Sequence, residues 1–83
     1  MTQVQFYWQT DESASIAAGQ ARLWLVATSE TPARWAVYEG YNLLGVTHRT
    51  EDDRSPNGEV RLWARIAALL ETRGLNIDQW GTP

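Results

Sequence analysis

The stretch ARLWLVATSE, residues 21–30, has two readings, and the fold turns on the choice. With Ile16 and Gln20 before it, Leu23, Trp24 and Ala27 fall at the three- and four-residue spacing of a helix face. Against this, Leu23 to Val26 is an unbroken apolar run, followed by Thr28, Ser29 and the breaker Thr31-Pro32-Ala33. A short apolar run between turn signals suits a strand that is apolar on both faces. We read residues 20–28 as that strand, and the identity of the exposed face then depends on its parity.

Working outward, VQFYWQT (residues 4–10) alternates. Val4, Phe6 and Trp8 face one way, and Gln5, Tyr7 and Gln9 the other, as in a half-buried strand. DESASIAAG (residues 11–19) offers Asp11 or Ser13 as a helix cap and Gly19 as a terminator, which predicts a short helical turn. Downstream, RWAVYEGYNLLGVTHRT (residues 34–50) reads as a hairpin. Trp35 to Glu39 is one arm and Leu43 to Arg49 the other, with Gly-Tyr-Asn supplying residues that tolerate positive φ between them.

The C-terminal third predicts a helix from Ser55 to Arg73. Ser55 suits the N-cap and Pro56 the first helical position. Gly74 stands where a left-handed residue ends a helix, with Leu75 placed to fold back on Leu70. At 100° per residue, Val60, Leu62, Trp63, Ile66, Ala67, Leu69 and Leu70 cover about half the circumference. Arg61, Arg65 and Thr72 form the polar stripe. Half a circumference exceeds one narrow contact with a sheet, so either the helix is deeply embedded or its Leu62/Leu69 edge is covered by the tail (Leu75, Ile77, Trp80) or by a partner.

These pieces make one α+β domain over residues 1–83. It has two layers: a three- to four-stranded antiparallel sheet with one long C-terminal helix packed on one face. One helix covers only one face, so the other should carry aromatic residues drawn from Tyr7, Trp24, Tyr38 and Tyr41.

Composition narrows what such a domain does. The chain has 83 residues, no cysteine, one histidine and five tryptophans. A core this small is marginal, and the indoles, each worth about 150–250 Å² of buried area, offset the size. Net charge is −3, which argues against nonspecific grip on nucleic acid and for a basic protein surface as partner. All seven basic residues are arginine. Arginine makes bidentate contacts at interfaces better than lysine, and a GC-rich genome would produce the same bias. No apolar run reaches the roughly twenty residues of a membrane span. MTQVQFYWQT has neither a basic lead nor a long apolar segment, so a secretory signal is not expected and the cytoplasm is.

The residues carry few signs of chemistry. Asp53, Ser55, Asn57 and Gly58 match the first half of a calcium loop, but Ala64 stands where the bidentate Glu is needed. The acids Glu51, Asp52, Asp53 and Glu59 instead lie at a helix N-terminus, where negative charge is favoured by up to about 1 kcal/mol. Three adjacent acids exceed what a cap requires, and the excess suits a basic partner. His48 falls on the Leu44/Val46 side of its strand and reads as a half-buried packing residue. The six glycines are scattered, so no phosphate-binding loop is present. No cofactor or metal is expected.

In size, cysteine-free acidic composition and strand-plus-helix make-up the chain resembles the small proteins of phages and mobile elements, and among them the anti-CRISPR proteins. The resemblance implies a non-enzymatic inhibitor that binds a host CRISPR effector complex and blocks guide-directed recognition of DNA. No residue is carried over from it. From residue type alone, the expected partner contacts are Glu51, Asp52 and Asp53 with Trp24, Tyr38, Tyr41, Arg61 and Arg65, because Trp, Tyr and Arg dominate binding hot spots. The alternatives are a homo-oligomeric phage or bacterial component, such as a homodimer through the spare helix edge, and a direct nucleic-acid binder that stacks bases on its aromatics.

Overall fold

The computed structural model describes residues 4–74. Five strands run as an antiparallel meander, β1 (Val4–Thr10), β2 (Ser13–Ala18), β3 (Ala21–Ala27), β4 (Trp35–Glu39) and β5 (Asn42–Thr47), in that spatial order. Helix α1 (Pro56–Thr72) follows and lies on one face. The two-layer α+β architecture is as expected, with one strand more than the three or four anticipated. The predicted packing of Leu75, Ile77 and Trp80 lies outside the described residues.

The extra strand is β2, where a helical turn was expected. Ala14, Ile16 and Ala18 are buried and alternate with Ser13, Ser15 and Ala17, so the segment has the period of a strand. Alanine favours helices intrinsically, but ladder pairing with β1 on one side and β3 on the other overrides that preference here. Gly19 does adopt a left-handed φ of 60°, but in a hairpin rather than at a helix end. Ala18 pairs with Ala21, which leaves Gly19-Gln20 as a two-residue loop. Gly40-Tyr41 repeats the device between Glu39 and Asn42, again with the glycine at φ 60°. A glycine in the first loop position is what II′ hairpin turns favour. Of the Gly-Tyr-Asn triplet, only the glycine needs the left-handed region.

β3 settles the opening ambiguity. Leu23 and Leu25 are buried, while Arg22, Trp24 and Val26 are exposed. Both faces are apolar, and one of them faces outward. Inward-facing residues of the sheet (Ala14, Ile16, Leu23, Leu25, Trp35 and Val37) pack against Leu62, Ile66 and Leu70 of α1. The helix passes closest to β5 at Gly45, where a Cβ would lie 2.6 Å from Leu69 Cδ1. Near its start it reaches β1, with Trp8 Nε1 donating to Glu59 Oε2 at 2.7 Å.

Ser55 caps α1 as expected, its Oγ accepting from Gly58 N at 2.9 Å, and Gly74 has a left-handed φ of 78°. The buried stripe is Leu62, Ile66 and Leu70, flanked by partly buried Trp63, Ala67 and Leu69. Val60, expected on that face, is 70% exposed. At 100° per residue it stands about 120° from the stripe's centre, beyond the reach of the sheet.

Candidate functional site

The open side of the sheet is where the alternating strands place their second set of side chains. Pairing register aligns Tyr7 with Ser15, Ser15 with Trp24, Trp24 with Tyr38 and Tyr38 with Leu43, one row crossing all five strands. A second row aligns Ser13, Val26, Ala36 and Val46. Tyr7, Trp24, Val26 and Leu43 are all exposed large apolar residues, with Trp24 at 47%. Tyr41 projects from the β4–β5 turn, fully exposed at 103%. Arg22, aligned with Ala17 beside this row, is the one charged side chain at an outward-facing strand position among the described residues.

Parity therefore brings together Trp24 and Tyr38 as direct cross-strand neighbours and leaves Tyr41 at the rim. Val26, Leu43 and Val46 share this face and lie outside the contact set expected from the sequence. Their signal was available in principle: strict alternation through Trp24, and a two-residue loop that sets Leu43 opposite Tyr38.

The acidic loop divides. The meander collects the β1–β2 turn, the β3–β4 loop and the chain leaving β5 at one end of the sheet. Six of the ten acids (Asp11, Glu12, Glu30, Glu51, Asp52 and Asp53) lie in those connections. Asp53 does not point outward. It is 2% exposed, and its carboxylate accepts from Trp35 Nε1 at 2.8 Å, Thr50 N at 2.8 Å, Thr50 Oγ1 at 2.7 Å and Arg65 Nη2 at 2.9 Å. Burial, the largest single influence, pushes its carboxyl upward. The hydrogen bonds from Thr50, Trp35 and Arg65 together outweigh burial and hold it below the usual carboxylate range. Asp53 is thus a structural hub tying β4, the loop and α1 together, and the acidic surface there reduces to Glu51 and Asp52.

Asp52 is exposed. The Thr50 hydroxyl, and after it the Arg61 guanidinium, hold its carboxyl low. Arg61 forms an ion pair with it, and Arg65 adds a bond from Nε to the His48 carbonyl at 3.2 Å. Both arginines expected at a partner surface are therefore engaged within the chain. His48 is exposed rather than half-buried. A bulge at Leu44 shifts the alternation of β5, and the strand ends at Thr47, so His48 belongs to the loop.

Beside the hub lies a cleft of about 520 Å³ whose lining includes Asp11, Trp35, Arg49, Glu51 and Arg54. The Arg49 guanidinium stands 5.0 Å from the Trp35 ring centroid and Arg54 stands 5.6 Å from that of Trp8. Arg54 pairs with Asp11. Acids and arginines neutralise one another here, so the cleft has no single-sign field to select a charged ligand. Among the described residues, no group of three or more His, Cys, Asp or Glu is arranged to hold a metal, and no helix is long and apolar enough to cross a membrane.

Comparison with protein-family models, with curated proteins and with solved structures finds no match for this chain.

Proposed function

We propose that this is a non-enzymatic protein-binding domain that docks through the open face of its sheet. Its partner would be a basic, nucleic-acid-binding complex of the host, and it would act on it in the cytoplasm as an inhibitor in the manner of an anti-CRISPR protein. The observation that carries the reading is the row Tyr7, Trp24, Tyr38 and Leu43 standing outward on a rigid antiparallel sheet. Large aromatic side chains lose little conformational entropy on docking and supply most hot-spot energy. Of the acids gathered at the sheet's end, Glu12 and Glu51 form no ion pair among the described residues, and they would steer the domain toward a basic surface.

A row of aromatics on a sheet also suits stacked single-stranded bases. Charge favours the protein partner. Base-stacking platforms work with a cationic track for phosphates, and among the described residues this face holds Arg22 alone, on a chain of net charge −3.

The test is binding of the purified chain to a purified CRISPR effector complex, read by light scattering or interferometry and by loss of the complex's target-DNA shift. Tight binding that falls at least about tenfold in Trp24→Ser and Tyr38→Ser, with circular dichroism unchanged, is expected. Absence of binding to the effector, or binding indifferent to both substitutions, refutes the reading. Retention of single-stranded DNA at low salt, without binding to the effector, replaces it with the nucleic-acid reading.

A further inference from the structure

Asn57-Gly58 is the one Asn-Gly pair in the chain, and the docking face makes no use of it. Such a pair is chemically labile. The main-chain nitrogen that follows an asparagine can attack the side-chain amide carbon and close a five-membered ring. Glycine favours this most, because no side chain hinders the attack and its backbone angles are the least restricted. Both residues lie in the first turn of α1, and Asn57 is exposed to water.

The fold requires the reactive glycine and restrains it at once. A Cβ at position 58 would overlap the Asp52 carbonyl oxygen, so packing excludes a bulkier residue there. The attacking atom would be Gly58 N, and it donates its hydrogen to Ser55 Oγ at 2.9 Å. That hydroxyl is itself anchored, donating to the Asp52 carbonyl at 2.7 Å. Ring closure also needs an Asn57 ψ outside the helical range.

We propose that Asn57 is a site of spontaneous deamidation held closed by the Ser55 cap, so that the amide is lost from the frayed first turn of α1 and not from the folded one. Once the turn opens, Gly58 N gives its proton to solvent base and bonds to Asn57 Cγ. The Cγ–Nδ2 bond breaks and ammonia leaves. Water then opens the ring. Cleavage at the side-chain carbonyl leaves an ordinary aspartate, and cleavage at the main-chain carbonyl leaves an isoaspartate. Water is the only co-reactant. Either product adds one negative charge to a chain of net charge −3. Isoaspartate also inserts a methylene into the main chain just before Gly58, so the bond from Gly58 N to Ser55 Oγ cannot re-form in its present geometry. Opening of the first turn therefore sets the rate, as it does for other events that need a locally unfolded segment.

Peptide mapping by mass spectrometry, with aspartate and isoaspartate separated, tests this on the full chain held in mildly alkaline buffer. Loss of the amide at position 57 should be slow in the folded chain and much faster in guanidinium chloride. Ser55→Ala should raise the rate in buffer by roughly two- to thirtyfold, the factor by which loss of an N-cap enlarges the open population. Ser55→Thr keeps the hydroxyl and should keep the slow rate. The comparison of folded with denatured chain needs no variant, so it stands even where Ser55→Ala fails to fold. Equal rates in buffer and denaturant, a folded Ser55→Ala that reacts no faster than the natural chain, a Ser55→Thr that reacts as fast as Ser55→Ala, or an Asn57 that keeps its amide in denaturant would each overturn the proposal.

Discussion

At the scale of single residues, Asp53 shows how a charged side chain in a surface-like sequence becomes a core element. Three acids in a row with an arginine after them read as a solvated loop. The structure buries the third because Trp35 on β4 has an indole N–H that needs an acceptor, and Thr50 and Arg65 close around the same carboxylate. A buried charge with four hydrogen bonds is tolerable, while its partners without it would not be. Asp53→Asn should therefore lower stability at neutral pH by roughly 2–4 kcal/mol, since charged and polar partners are left poorly satisfied. The folded chain holds this carboxyl below its ordinary value of 3.8. Its contribution is complete above that value and is lost as pH falls through the lower folded value, where the folded state must also take up the proton. Urea unfolding midpoints measured down a pH series should show the gap between the natural chain and Asp53→Asn narrowing below pH 3.8. A gap of constant size at every pH would show that the Asp53 charge is not what stabilises the hub.

At the scale of an element, the start of α1 carries a constraint invisible to propensity. Glycine inside a helix usually costs about 1 kcal/mol relative to alanine, so Gly58→Ala looks favourable on paper. Here a Cβ at position 58 would overlap the backbone carbonyl oxygen of Asp52 and stand 2.8 Å from Ser55 Oγ. That carbonyl also accepts from Ser55 N at 2.9 Å and from Ser55 Oγ at 2.7 Å, so it cannot move aside freely. Gly58→Ala is expected to destabilise by roughly 1–3 kcal/mol, as overpacking does. Val60→Ala, on the exposed side of the same turn, should stay within about 0.5 kcal/mol. Chemical denaturation of the two variants side by side checks the contrast. A stabilised Gly58→Ala would mean that the loop yields at no cost.

At the scale of the whole molecule, one sheet has two unequal sides, and its tryptophans report them. Trp35 is 1% exposed and lies in the core against Trp8, their ring centroids 5.7 Å apart. Trp24 stands on the other side next to Tyr38. Trp35→Ala should cost roughly 3–5 kcal/mol, the range for deleting a large buried aromatic. Trp24→Thr should cost about 1 kcal/mol or less, the worth of a cross-strand pair on a solvated face. Equilibrium unfolding of both variants measures the difference, and comparable losses would mean that the open face is covered by part of the chain itself.

Much of this organisation is written locally. Alternation in residues 4–10, the run at residues 23–26, the Gly-Tyr-Asn turn and the cap Ser55-Pro56 depend on neighbours within a few positions, and each element they announce is present. Gly19 and Gly40 mark loops because only backbone freedom at that residue is at issue. What tertiary structure alone decided involves partners distant along the chain. β2 is a strand because β1 and β3 offer it a ladder on each side, against alanine's own preference. Asp53 is interior because Trp35 and Arg65 come to it from 18 and 12 positions away. Trp24 faces outward with Tyr38 and Leu43 because hairpin register, not residue type, assigns each side chain its face. Local chemistry specifies the elements other than β2, since it acts over one turn or one strand. Which surfaces remain open is settled only when those elements pack, because burial belongs to the assembled layers and to no segment of them.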